Sequence, residues 1–245
     1  MESAYEVMHV AALLEPTPYL TAEERAGLPA AHHHAWTVVT AVEVTLAGVA
    51  VLADLLVPSL VMLALAGVSL LVRRRGVGSL GFHRAAALPL AGKALVFAAA
   101  WSLFQFGLTM PIANHVSGHE TDLSQFADVE GNAGRLLALL LLSWTIAAVG
   151  EEFAYRGYLQ TRLRELFGSS RAGVAVAVAV SSVLFGVAHS EQGIIGVVVI
   201  TLDGVAFSAV RYRLRTLWAA VLVHGFNNTI RFVTFFVAGP VYGLW

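Results

Sequence analysis

The sequence predicts an all-α, polytopic transmembrane bundle of six to eight helices, with seven the best count, on two observations. Hydrophobic residues make up 58% of the 245-residue chain and charged residues only 13%, against roughly 25% charged in a soluble domain. A core of this size cannot hide so much apolar surface, so the excess faces lipid. Apolar windows near spanning length also recur, at 35–53, 55–72, 93–113, 136–158, 172–189, 194–210 and 217–238. Backbone inside a bilayer must satisfy its own hydrogen bonds, so each window reads as a helix; a barrel would show alternating strands of about ten residues.

Residues 1–34 come first: Glu2, Glu6, Glu15, Glu23 and Glu24 against Arg25, broken by Pro16, Pro18 and Pro29. A signal peptide needs a basic start and an early apolar stretch, so this reads as an amino-terminal cytoplasmic segment ahead of one membrane domain at 35–245. The first two windows are interrupted by Asp54 and Pro58, which predicts a tight helix hairpin or one long kinked helix. Arg73, Arg74, Arg75, Arg84 and Lys93 follow the second window, Arg156, Arg162, Arg164 and Arg171 the fourth, and Arg211, Arg213 and Arg215 the sixth. Twelve of 15 bases thus fall in alternate connections, which the charge rule makes cytoplasmic. The 114–134 connection, with Glu120, Asp122, Asp128 and Glu130 and no Lys or Arg, belongs outside. The Ala/Val/Leu/Arg-rich composition gives the chain a bacterial look, and a multi-pass plasma-membrane protein is expected. A net charge of -1 leaves no basic field to hold nucleic acid, and the absence of Cys excludes disulfides, thiolate zinc sites and a cysteine nucleophile.

Ionisable groups inside a span are expensive, so each is a functional candidate. Gly150-Glu151-Glu152-Phe153-Ala154-Tyr155-Arg156-Gly157 places three in one apolar run. On an α-helix Glu152 and Arg156 are i and i+4 and can pair, while Glu151 points about 100 degrees away and stays free to titrate. A carboxylate in a low-dielectric site has a raised pKa and can serve as a general base near neutral pH. The simpler reading has all three snorkelling at the cytoplasmic end. Phe185-Gly186-Val187-Ala188-His189 closes the fifth window, and Glu151 and His189 are equally distant in sequence from the turn near Ser170, so an antiparallel hairpin sets them at similar depth. His224 and Asn228 share a face of the last span, with His224 about 14 Å of helix rise from Arg215. Taking Arg162 as the boundary puts Glu151 about 16 Å deep. Ser190-Glu191-Gln192-Gly193 then falls at membrane depth, whereas the charge rule makes it an external turn; the sequence leaves both open. Asp203 either lines the same cavity or makes a structural hydrogen bond, Glu43 likewise, and His32-His33-His34 reads as a solvated interfacial run rather than a metal site.

Glu151-Glu152-x-x-x-Arg156-Gly157, Phe185-x-x-x-His189 and His224-x-x-x-Asn228, in that order on successive hydrophobic helices, resemble the CPBP family of intramembrane proteases. This is also called the Abi or CAAX-protease family and includes the type II CAAX prenyl endopeptidases. The resemblance covers 136–228; the first 130 residues match only as spans joined by a basic loop with Leu80-Gly81-Phe82. It implies hydrolysis of a peptide bond in a membrane protein or lipidated peptide at the bilayer. In the metal-free version, which we favour, Glu151 assisted by His189 takes a proton from water, His224 and Asn228 stabilise the oxyanion, and Glu152, Arg156 and Phe185 support them. In the metalloprotease version Glu151, His189 and His224 ligate zinc around a bound water. No His-Glu-x-x-His is present, and a mixed Glu/His/Asn set is not a typical structural zinc site. Ser181, Ser182 and Ser190 lack a nucleophile-elbow context. Two rivals are a non-enzymatic immunity or scaffold protein using the polar core for assembly, and a transporter with a proton or cation path through Glu151, His189 and Asp203.

Overall fold

The structure, a computed structural model, describes residues 30–55 and 57–245, with side chains from 34 onward. Among these residues there are seven helices and no strand: α1 (Ala30–Leu52), α2 (Pro58–Val72), α3 (Ala87–Ser117), α4 (Ala133–Phe167), α5 (Arg171–Val187), α6 (Gly193–Leu214) and α7 (Leu217–Ala238). The segment expected at 1–34 lies outside the described residues up to 29, as do the side chains of His32 and His33. Five helices are long and apolar enough to cross a bilayer, while α2 and α5 are shorter apolar helices of 15 and 17 residues. The protein is a polytopic membrane bundle.

The first two windows are a hairpin. Asp54 takes a left-handed φ of 47°, and Pro58, which lacks an N–H, starts α2 where none is needed. Small residues face inward and large ones outward: Ala47, Ala66, Ala94, Ala98, Ala154, Ala177, Ala219 and Ala220 are fully buried, whereas Leu71, Leu88, Val96, Val116 and Ile194 are largely exposed. Lipid is as apolar as Leu, so helices gain by close approach of small residues rather than by hiding large ones. The α5–α6 contact is the tightest case. A Cβ on Gly186 would lie 2.1 Å from Thr201 Oγ1 and 2.5 Å from the Val197 carbonyl, and one on Gly204 2.7 Å from Ser182 Cβ.

Four arginines assigned above to the connections, Arg73, Arg156, Arg162 and Arg211, are buried. Arg162 therefore does not mark an aqueous boundary, and α4 runs on to Phe167. Charge partners make this tolerable: Arg73 reaches Glu43 at 2.9 Å and Glu165 at 3.3 Å, and Arg162 reaches Glu165 at 2.6 Å. Glu43 belongs to this cluster, which clamps α1 and α2 to α4. Arg211 donates to the carbonyls of Arg156 and Leu80 and to Gln160 Oε1, tying the 77–83 loop beneath the motif helix.

The 190–192 turn sits at the end of the bundle opposite the Arg-rich connections, with Ser190 and Glu191 exposed, and the 118–132 segment meets it through the Asp122 N–H, which donates to the Gln192 carbonyl at 3.1 Å. The close α5–α6 packing carries His189, so its glycine is the sensitive point. Gly186→Ala should lower stability by about 1–3 kcal/mol, whereas Gly48→Ala, with nothing within 4 Å of its Cβ, should leave it near neutral. Thermal unfolding in detergent reads both; equal melting temperatures for the two variants would contradict this packing.

Candidate active site

The centre of α4 is not α-helical. Ser143–Leu159 is wound as a π-helix, with hydrogen bonds to the fifth residue along, a form that is rare and concentrated at functional sites. Each residue turns through a smaller angle than in an α-helix, which changes the expected geometry of Glu151 and Glu152. Both carboxylates address one imidazole. Glu152 Oε1 accepts from His224 Nδ1 at 2.9 Å, and Glu151 Oε2 lies 4.0 Å from His224 Nε2. The expected Glu152–Arg156 pair is present at 3.0 Å with both side chains buried, but Glu152 does more than hold its own helix. The same oxygen joins Arg156 on α4 to His224 on α7.

His224 is seated by the glycine after it. A Cβ on Gly225 would lie 2.5 Å from the Trp144 ring, and Trp144 Nε1 donates to Thr229 Oγ1 at 3.1 Å, which fixes α7 against α4 with the imidazole facing the two carboxylates. Phe185 fills the space between the motifs. Its ring centroid is 4.9 Å from His189 and 6.0 Å from His224, and the Arg156 guanidinium lies 4.0 Å over its face. Its carbonyl accepts from His189 Nδ1 at 2.9 Å, so Nε2 of His189 is left as an acceptor.

Glu151, Phe185, His189, His224 and Asn228 all line one cavity of about 220 Å³. Glu152 and Arg156 lie buried at its wall. Glu151 Oε2 is buried and has no hydrogen-bond partner among the described residues. Among the described residues no group of three or more His, Cys, Asp or Glu side chains is placed to hold a metal ion.

Asp203 does both things proposed for it: it lines the cavity and is a structural acceptor. Trp101 Nε1 and Gln105 Nε2 donate to its Oδ1 at 2.6 and 2.8 Å, and Arg231 Nη2 to its Oδ2 at 3.1 Å. Arg231 also donates to Gln105 Oε1. The sequence reading missed Arg231 and Gln105. Two signals could have found them: Arg231 lies seven residues after His224 and three after Asn228, on the same α7 face, and Gln105 is a lone amide inside an apolar span. Gln105 opens a short π-wound stretch of α3, Gln105–Thr109.

Removing one member of a buried ion pair leaves the other charge uncompensated. Asp203→Leu should therefore cost about 3–5 kcal/mol of stability, and adding Arg231→Met should recover the part due to the unpaired guanidinium, the Trp101 and Gln105 donors still lacking their acceptor. Thermal unfolding of the single and double variants tests this; a double variant no more stable than the single would contradict the pairing.

Residues 133–230 match the family model described as type II CAAX prenyl endopeptidase Rce1-like. No curated protein and no solved structure matches the chain. The matched segment spans nearly all of α4 to α7 and contains every motif residue, while Arg231, Gln105 and Trp101 fall outside it. The α4–α7 segment that carries the motif residues of this cavity is thus similar to the Rce1-like type II CAAX prenyl endopeptidases.

Proposed function

We propose that the protein is an intramembrane endopeptidase that hydrolyses a peptide bond of a membrane protein or lipidated peptide with water activated by Glu151 and no metal. The observation that carries this reading is the pair of adjacent carboxylates on the two nitrogens of His224, at 2.9 and 4.0 Å. The longer separation suits a bridging water. Glu151 takes one proton from that water while His189 Nε2 accepts a hydrogen bond from it, and the oxygen adds to the scissile carbonyl carbon. A positioned base of this kind is worth roughly 10² to 10⁴ in rate.

The contact to Glu152 refines the part given to His224. Its Nδ1 is committed to a carboxylate, so neutral Nε2 is an acceptor and becomes a donor once the ring is protonated. Glu152 stabilises that positive charge, much as an acid orients and supports the histidine of a catalytic triad. His224, which enters the step already carrying a second proton on Nε2 from the aqueous cavity and keeps it throughout, donates to the attacking water and, with the Asn228 amide, stabilises the oxyanion, each donor contributing about 10² to 10³. As the C–N bond breaks, Glu151 returns its proton to the departing amine. Arg156 and Phe185 keep Glu152 and His189 in place.

Mass spectrometry of membrane-protein termini, in cells expressing wild type or Glu151→Gln at equal level, tests the reading and names the substrates. Termini dependent on Glu151 are expected, surviving complete metal chelation, and Glu152→Gln should lose both cleavage and stability. Unchanged termini with folded, abundant protein would overturn the hydrolytic reading; loss of cleavage on chelation would overturn its metal-free form.

A further inference from the structure

The connections between helices fall at two ends of the bundle. At one end lie 73–86, 168–170 and 215–216, joined by the Leu217 N–H to the Gly81 carbonyl and by Thr216 Oγ1 to the His83 carbonyl. Arg74, Arg84, Arg171, Arg213 and Arg215 stand here. At the other end lie 53–55, 118–132, 188–192 and 239–245, with 118–132 held by Asp122 to Gln192 and by the Gly131 N–H to the Phe236 carbonyl at the end of α7. Exposed Asp54, Glu120, Asp122, Asp128, Glu130 and Glu191 stand there against Arg135, which is spent on Asp128 at 3.1 Å. The charge rule makes the first end cytoplasmic and the second extracytoplasmic.

The cavity belongs to the second end. Thr121, Leu123, Gln125, Glu191 and Gln192 line it, and no residue of the Arg-rich connections does. Glu191 sits on its rim, and Glu120 and Asp122 flank the lining residue Thr121 in the chain. Hydrogen bonds from the Ser124 hydroxyl and N–H hold the Asp122 carboxyl below its usual range, which keeps it charged. The base deeper in the cavity, Arg231, is already matched by Asp203. Among the described residues Glu191 is thus the one carboxylate on the rim itself, with exposed Glu120 and Asp122 beside it on the same end, and such an excess of negative charge over low-dielectric walls concentrates cations and repels anions.

We propose that the catalytic cavity is loaded from the extracytoplasmic face through this acidic rim, and that its substrate is a membrane-associated peptide segment on that face with basic residues beside the bond to be cut. The substrate's nature rests on the hydrolytic reading above; the route into the cavity does not.

The chain has no Cys, so single reporters can be placed at two exposed, neutral positions, Gln125→Cys at the rim and Ser169→Cys at the opposite end. Membrane-impermeant thiosulfonates, one bearing trimethylammonium and one sulfonate, are applied to intact and to permeabilised cells. Gln125→Cys should react in intact cells and Ser169→Cys only after permeabilisation. At Gln125→Cys the cationic reagent should react roughly tenfold faster than the anionic one, and adding Asp122→Asn and Glu191→Gln should shrink that ratio. Reversed accessibility, or a rim thiol that neither reagent reaches, would overturn the route; equal rates would overturn the basic preference. Neither readout needs cleavage, so the hydrolytic reading stands or falls separately. Glu151-dependent termini on cytoplasmic segments would sink this proposal and leave hydrolysis intact.

Discussion

A carboxylate held away from water at the centre of a membrane bundle needs more than one partner, and Glu152 has two. Its Oε1 meets Arg156 from its own helix and His224 from α7. Burial of such a group is costly, and breaking a buried pair typically costs about 3–5 kcal/mol. The surrounding structure serves this contact: Phe185 lies under the Arg156 guanidinium, Gly225 lets Trp144 close against α7, and Arg211 holds the Arg156 carbonyl from below. Because Nδ1 of His224 is occupied, only Nε2 faces Glu151. A contact that secures the fold therefore also decides which imidazole nitrogen is turned toward Glu151.

The same economy of small residues that lets helices meet in lipid brings the motifs together. Close approach at Gly186 and Gly204 sets α5 on α6, so that α5, only 17 residues long, ends inside the protein and delivers His189 beneath the 118–132 segment. A longer α5 would carry that histidine past the cavity. In the polar turn after it, the Gln192 carbonyl is satisfied by the Asp122 N–H.

Much of this was legible in the sequence, for physical reasons. Apolar windows located the seven helices because lipid imposes a length, and Asp54 with Pro58 marked the hairpin because neither suits a helix interior. The residues of the three motifs were found because ionisable groups are rare in spans; their gathering in one cavity followed from helix register. Other features depended on contacts that no spacing reveals. Arg73, Arg162 and Arg211 were indistinguishable from loop charges, since their partners Glu43, Glu165 and backbone carbonyls come largely from other helices or other turns, whereas the pairing of Arg156 with Glu152 was readable from their i,i+4 spacing. The π winding of α4 has no periodic signature, and so the convergence of Glu151 and Glu152 on one ring was hidden by an α-helical angle. Arg231 was overlooked because its neutralising partner, Asp203, lies on a different helix.

The central claim concerns the protonation of one ring, and ¹⁵N NMR of the protein labelled at histidine reads it directly, with His224→Gln identifying the resonance. The account predicts that His224 Nδ1 carries a proton, donated to Glu152. A ring with Nε2 protonated and Nδ1 bare would contradict it, because the Glu152 contact could not then be the one that directs Nε2 toward Glu151.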